Sequence, residues 1–213
     1  MVLLSCKDID IFSYFKQKTV FCLILLHVFV PAAMAQGLNA RFLAYIEQFK
    51  EVAMEHCRTH GIPASITLAQ GLLESNAGSS YLASRGNNHF GIKCGRKWTG
   101  KTIAHDDDAK GECFRVYDSP QESFKDHSNL LRFSDRYKFL FDYPKTAYKS
   151  WAFGLKAAGY ATDPRYAQKV ISMVETYNLM QYDVLPDVPK TPTQMETPRR
   201  VTVVRDNPKY SEE

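Results

Sequence analysis

Apolar residues recur every three to four positions along "ARFLAYIEQFKEVAMEHCRTHG". Phe42, Tyr45, Ile46, Phe49, Val52 and Ala53 share one helical face, and Gly61 then stops the pattern. Pro63 opens a second helix with Ile66, Ala69 and Leu73 on its apolar stripe. A different stripe of the same helix, Thr67, Gln70, Gly71 and Glu74, is small and polar. That stripe predicts a Glu74 turned away from the core, beside room for something bulky. The helical period is lost between residues 88 and 117, where short β-type runs alternate with turn residues, predicting a small irregular β-hairpin lobe. It returns at "SPQESFKDHSNLL", with Ser119 as N-cap, Pro120 at the first position and Glu122 completing a capping box. Two further helical stretches follow, at 151–159 and 164–177. The expectation is a mainly α (α+β) domain in which helices flank a β insertion, with no internal repeat.

Both ends of the chain change this picture. After Lys16 and Lys18, "TVFCLILLHVFV" is too short for a confident membrane span, and Ala33 and Ala35 in "PAAMAQ" supply a small-residue cleavage pattern. Residues 1–35 therefore read as a signal peptide cleaved after Ala35, leaving no stable membrane span in an exported protein. From 183 to 213 proline, threonine and charge recur too densely for a helix or an internal strand, which predicts a flexible tail. Residues 36–182 remain as one domain.

The formal net charge of +4 falls by one on cleavage. This mild positive balance is compatible with an anionic polymer and too small to argue for nucleic acid. Three cysteines survive cleavage. In an oxidising compartment Cys94 and Cys113 are candidates for a bridge across the hairpin lobe, and Cys57, in a helical pattern, for a buried thiol.

The candidate chemistry begins with Glu74. Alone it reads as a solvated helix end. A desolvated glutamate at the negative end of a helix dipole can, however, hold a proton near neutral pH and protonate the leaving oxygen of a glycosidic bond. In "HDDD", extended backbone puts His105 and Asp107 on one face and Asp106 and Asp108 on the other. Either face could present a carboxylate toward Glu74. The segment is no calcium loop, because Lys110 and Tyr117 stand at ligand positions. His56 and His60 lie one helical turn apart, as zinc can use, but without a third ligand they read as structural. A cysteine nucleophile would need an activating histidine, and no spacing singles out such a pair. Of the aromatic residues, Trp98 and Tyr160 sit beside glycine-containing turns and are the better candidates for stacking on sugar rings.

Taken in order, "ITLAQGLLESNAGSS", "NNHFGIK", "WTGKT", "FRVYDS" and "AGYATDPRYAQKV" resemble family 73 of the glycoside hydrolases, the bacterial endo-β-N-acetylglucosaminidases. The resemblance runs from about residue 40 to 182. It implies a lysozyme-like helical domain with a small β-hairpin lobe flanking a substrate groove, and Glu74 as the general acid. It also implies that "NNHFG" shapes the groove and that Tyr160 helps to hold the sugar. The substrate-binding set is then Asn88, Phe90, Trp98, Tyr160 and Tyr166. The chain departs from the family in lacking the T-x-E glutamate of the β-lobe. His105-Asp106-Asp107 stands in its place, so Asp107 is the first choice for a second carboxylate and Asp108 the next. The resemblance implies a periplasmic or envelope enzyme acting on peptidoglycan glycan strands without a metal or other cofactor. Rival readings are a muramidase, a lytic transglycosylase, a non-catalytic wall-binding module and a cysteine peptidase.

Overall fold

The computed structural model describes residues 38–184 apart from 108. The expected signal peptide, nearly all of the expected tail, and Asp108 lie outside the described residues. Ala40 opens the compact unit that contains every element below.

Helix α1 (Ala40–His60) buries Tyr45, Ile46, Phe49, Ala53, His56 and Cys57, close to the stripe its periodicity predicts. Helix α2 (Ala64–Ser75) departs from expectation. Thr67, Gln70 and Gly71 are as buried as Ile66 and Ala69, so the helix is enclosed on nearly every side and forms the centre of the domain. The room predicted beside Gly71 is taken by Tyr45: a Cβ at Gly71 would lie 2.5 Å from the Tyr45 hydroxyl oxygen. Only the last turn, with Glu74, reaches an open surface.

Asp183, expected to begin the tail, belongs to this core. It is 6% exposed, and its two carboxylate oxygens accept from Ser65 N–H (2.8 Å) and Ser65 Oγ–H (2.6 Å). A carboxylate there satisfies an otherwise unpaired amide in the first turn of α2 and complements the positive end of its dipole.

Helix α2 ends at Asn76 in the left-handed conformation, followed by Ala77 and Gly78, also at positive φ. This turn leads into a short helix not foreseen from the sequence, α3 (Tyr81–Gly86), capped by the Ser80 side chain. The hairpin lobe is present. Strands β1 (Thr102–His105) and β2 (Glu112–Arg115) pair antiparallel, with His105 opposite Glu112, and Cys94 is joined to Cys113 by a disulfide. Cys57 is the buried free thiol among the described residues.

The lobe is tied to the helices by a buried polar hub. Arg115, 1% exposed, donates from Nη1 to Asp126 Oδ2 (2.7 Å), which also accepts from the Tyr117 hydroxyl (2.7 Å). Asp126 lies on helix α4 (Pro120–Phe133), where Ser119 accepts from Glu122 N–H as predicted. The Glu122 carboxylate accepts from Asp118 N–H, one residue before the expected cap amide. A 3₁₀ stretch (Asp135–Asp142), helices α5 (Tyr148–Ala157) and α6 (Tyr166–Thr176), and a last 3₁₀ turn (Leu179–Tyr182) complete the fold. Trp151, Phe49 and Phe124 are among the large side chains fully buried in the core.

Candidate active site

Where the last turn of α2 faces the hairpin, the surface opens into a cavity of about 560 Å³. Glu74 lines it from the helical side. Asp107, Lys93 and His105 line it from the hairpin, and Tyr137, Tyr160 and Arg136 from the opposite end.

Glu74 is half-buried, and its Oε1 accepts from the Tyr166 hydroxyl at 3.0 Å. Loss of hydration inside the wall raises its pKa to about 7. The Tyr166 hydrogen bond opposes that rise, the Asp107 charge adds to it, and the Lys169 charge opposes it. A carboxyl that keeps its proton to this pH beside an open groove can deliver it to a group bound there.

Tyr166 is 4% exposed and lies behind Glu74 rather than in the groove. Its oxygen accepts from Gln70 Nε2 at 2.9 Å, and its ring stacks on Tyr160 with centroids 5.6 Å apart. Tyr160 is half-buried and borders the groove, as does the edge of Phe90, whose ring stacks on His127 at 3.9 Å. Burial raises the Tyr160 and Tyr166 hydroxyls well above the ordinary tyrosine range, which keeps both neutral.

Besides Tyr166, two predicted site residues do not reach the groove. Asn88 is 1% exposed, donating from Nδ2 to Ile92 O and Arg115 O while Oδ1 accepts from Ile92 N–H. It shapes the lobe by holding backbone. Trp98 packs at the base of the hairpin, with its Nε1–H on Lys101 O, its ring edge-on to Tyr117 and the Arg115 guanidinium 5.0 Å from its face.

Asp107 is exposed on the hairpin turn, 3.6 Å from Lys93 Nζ, which also binds Glu112 at 2.8 Å. Sequence reasoning missed Tyr81. It is 49% exposed, its ring stacks on His105 with centroids 5.2 Å apart, and it borders the groove. It also missed Arg136, which grips Ala158 O and Gly159 O beside Tyr160. An aromatic directly after the Ser80 cap was the one local signal for Tyr81.

The residues behind the other candidate chemistries are held within the fold. His56 bonds Ser128 and His60 bonds Asn129. Among the described residues no cluster of three or more His, Cys, Asp or Glu is placed to hold a metal. Cys94 and Cys113 are bonded to each other, and burial pushes the Cys57 thiol up. No helix among the described residues is long and apolar enough to cross a membrane.

Residues 50–179 match the glucosaminidase family model, described as mannosyl-glycoprotein endo-β-N-acetylglucosaminidase. The chain belongs to the glucosaminidase family. Among this family's members, exo-glucosaminidase LytG of Bacillus subtilis is 40% identical over 135 residues, covering 58% of this chain and 47% of that protein. Peptidoglycan hydrolase FlgJ of Vibrio parahaemolyticus is 32% identical over 148 residues, covering 64% of this chain and 48% of that one. The chain thus spans about half the length of these relatives. A peptidoglycan hydrolase structure from Sphingomonas sp. A1 superposes with a TM-score of 0.58 at 31% identity, covering 65% of this chain and 91% of that one. The mainly helical, lysozyme-like architecture expected from the sequence is shared with that neighbour.

Proposed function

We propose that this glucosaminidase-family chain is an exported enzyme that hydrolyses peptidoglycan glycan strands, cutting the β-1,4 bond after N-acetylglucosamine. The observation that carries this reading is Glu74: a carboxyl with its pKa raised to about 7, hydrogen-bonded from behind by Tyr166 and open to a groove in front. Glu74 gives its proton to the leaving glycosidic oxygen as the bond to the anomeric carbon breaks. Asp107 stabilises the positive charge that develops on the sugar or activates the incoming water. Tyr160 supports the bound sugar.

Asp107 is exposed and engaged by Lys93, which favours a second reading of the same cut. In it the N-acetyl carbonyl of the substrate attacks the anomeric carbon, and Glu74 is the one essential carboxyl. An Asp107→Asn variant separates the two. A rate loss well below the roughly hundredfold expected of a missing catalytic group supports the substrate-assisted route.

The cut itself is tested by digesting purified peptidoglycan, reducing the products with borohydride and identifying the reduced ends by mass spectrometry. Reduced N-acetylglucosamine is expected. Reduced muramic ends would mean a muramidase, anhydro-muramic ends a transglycosylase, and no new ends a binding module.

Two further outcomes follow from the groove. Because Glu74 must be protonated to act, kcat/KM is expected to be level on the acid side. It should fall about tenfold per unit once pH rises beyond about 7, the value to which burial lifts this carboxyl. A pH–rate profile with no basic limb between pH 6 and about 8 would remove Glu74 from the acid role. Tyr81 is half exposed and borders the groove, so Tyr81→Ala should raise KM for polymeric glycan about three- to tenfold with little change in kcat, whereas Tyr81→Phe should behave as wild type.

A further inference from the structure

Behind Glu74 the polar groups form a single file. Glu74 Oε1 lies 3.0 Å from the Tyr166 hydroxyl, that hydroxyl 2.9 Å from Gln70 Nε2, and Gln70 Oε1 3.2 Å from His127 Nε2. Gln70 and His127 have no exposed surface, and Tyr166 very little. Neither Gln70 nor His127 touches the groove, so neither has a direct part in the proposed chemistry.

Such a file has two self-consistent directions. In one, His127 Nε2–H donates to Gln70 Oε1, Gln70 Nε2–H to Tyr166, and the Tyr166 hydroxyl to Glu74 Oε1. In the other the Gln70 amide is turned over, so that its Nε2–H donates to His127 Nε2 and its Oε1 accepts from the Tyr166 hydroxyl, and the Glu74 proton is spent on the Tyr166 oxygen, pointing into the wall instead of the groove. The choice falls to the far end of the file. His127 Nδ1 is buried with no hydrogen-bond partner among the described residues. In the first direction that atom is a bare lone pair. In the second it carries a proton, an N–H donor left unsatisfied in the core, which is the rarer and costlier state. The ring is held neutral chiefly by burial and then by His56, with Asp126 opposing and His60 adding a smaller push the same way, so the doubly protonated form does not intervene.

We propose that Gln70 and His127 are positioning residues that set the direction of this file, reserving Glu74 Oε1 as an acceptor and leaving the transferable proton on Oε2. The proposal rests on the reading of Glu74 as the acid, but its core test does not need turnover. Tyr166, itself polarised by Gln70, is the stronger donor to the Glu74 carboxylate for it. Loss of Gln70 therefore weakens that bond and raises the Glu74 pKa further, against the unchanged charges of Asp107 and Lys169 and beside the neutral Tyr160 ring.

Long-range ¹H–¹⁵N correlations of the intact chain labelled with ¹⁵N-histidine read the tautomer of His127 directly, its signal being identified by its loss in His127→Phe. A proton on Nε2 is expected, and a proton on Nδ1 overturns the proposal. Carboxyl ¹³C titration of Glu74 supplies the second arm. Gln70→Met should move it upward by about half a unit or more, and should add nothing in a Tyr166→Phe background. An unmoved titration, or an equal shift with and without the Tyr166 hydroxyl, overturns it. His127→Phe keeps the stack on Phe90 and should shift Glu74 the same way. On glycan, Gln70→Met should lower kcat about tenfold with KM changed less than about twofold. Wild-type protein that shows the tautomer and the titration yet cuts no glycan would refute the proposed function while leaving the file intact.

Discussion

Glu74→Gln is expected to lower glycan cleavage by a factor on the order of 10² to 10⁴, the usual contribution of a positioned general acid. The substitution preserves shape. The amide oxygen can still accept from Tyr166 at the Oε1 position, so the wall behind the residue keeps its packing, but no proton can be passed to the leaving oxygen. The same variant carries an opposite effect on stability. The Glu74 carboxyl has its pKa raised from 4.5 to about 7 in the folded chain, so between those values the folded state holds a proton that the unfolded state has released. Folding stability contributed by the neutral carboxyl is therefore full below about pH 4.5 and is lost as pH rises toward 7. Glu74→Gln removes that penalty. It should melt higher than wild type at pH 8 and at nearly the same temperature at pH 4. A variant that is inactive and also destabilised at pH 8 would show that Glu74 is a structural residue and not a strained functional one.

Asp126→Ala is expected to cost about 3 to 5 kcal/mol, the range for removing one partner of a buried ion pair. It strips Arg115, 1% exposed, of its 2.7 Å carboxylate contact and the Tyr117 hydroxyl of its acceptor at the same distance. The guanidinium cannot shed its charge and cannot reach water without moving the strand that carries it. Because β2 pairs with β1, whose last residue His105 stacks on Tyr81, the loss should also loosen the groove wall and raise KM. Chemical unfolding of the two proteins measures the first effect. A cost below about 1 kcal/mol would place the pair among ordinary surface ion pairs and overturn its role as the anchor of the hairpin lobe. Replacing both partners, as in Arg115→Met with Asp126→Leu, should cost less than Asp126→Ala alone, since no buried charge is then left unpaired.

Local rules were enough for much of this molecule. The apolar face of α1 follows from its 3.6-residue period, the Ser119 cap from side-chain chemistry three residues ahead of an amide, and the Cys94–Cys113 bridge from cysteine placement in a chain that reads as exported. Glu74 stood out because an acid at the negative end of a helix is locally unfavourable and so asks for a reason. These signals involve residues a few positions apart, or a composition that only one class of protein uses.

Where residues distant in the chain meet, the local rules gave the wrong picture or none. The polar stripe of α2 was read as facing open space. Its Gln70 is instead satisfied by Tyr166, 96 positions on, and by His127, 57 positions on, and its Gly71 admits Tyr45 from the neighbouring helix. Asn88 was read as a substrate ligand, but its amide is consumed by backbone of its own lobe. Asp183 was read as tail, yet it caps a helix 118 positions earlier. A side chain's polarity reports that it needs partners, and periodicity reports which way a helix turns. Neither says whether those partners are water, substrate or buried protein, because that depends on what the folded chain packs beside them. The proton on Glu74 is the sharpest case: its position in the chain raises the question, and its burial, the Tyr166 hydroxyl of α6 and the Asp107 charge of the hairpin set the carboxyl's pKa.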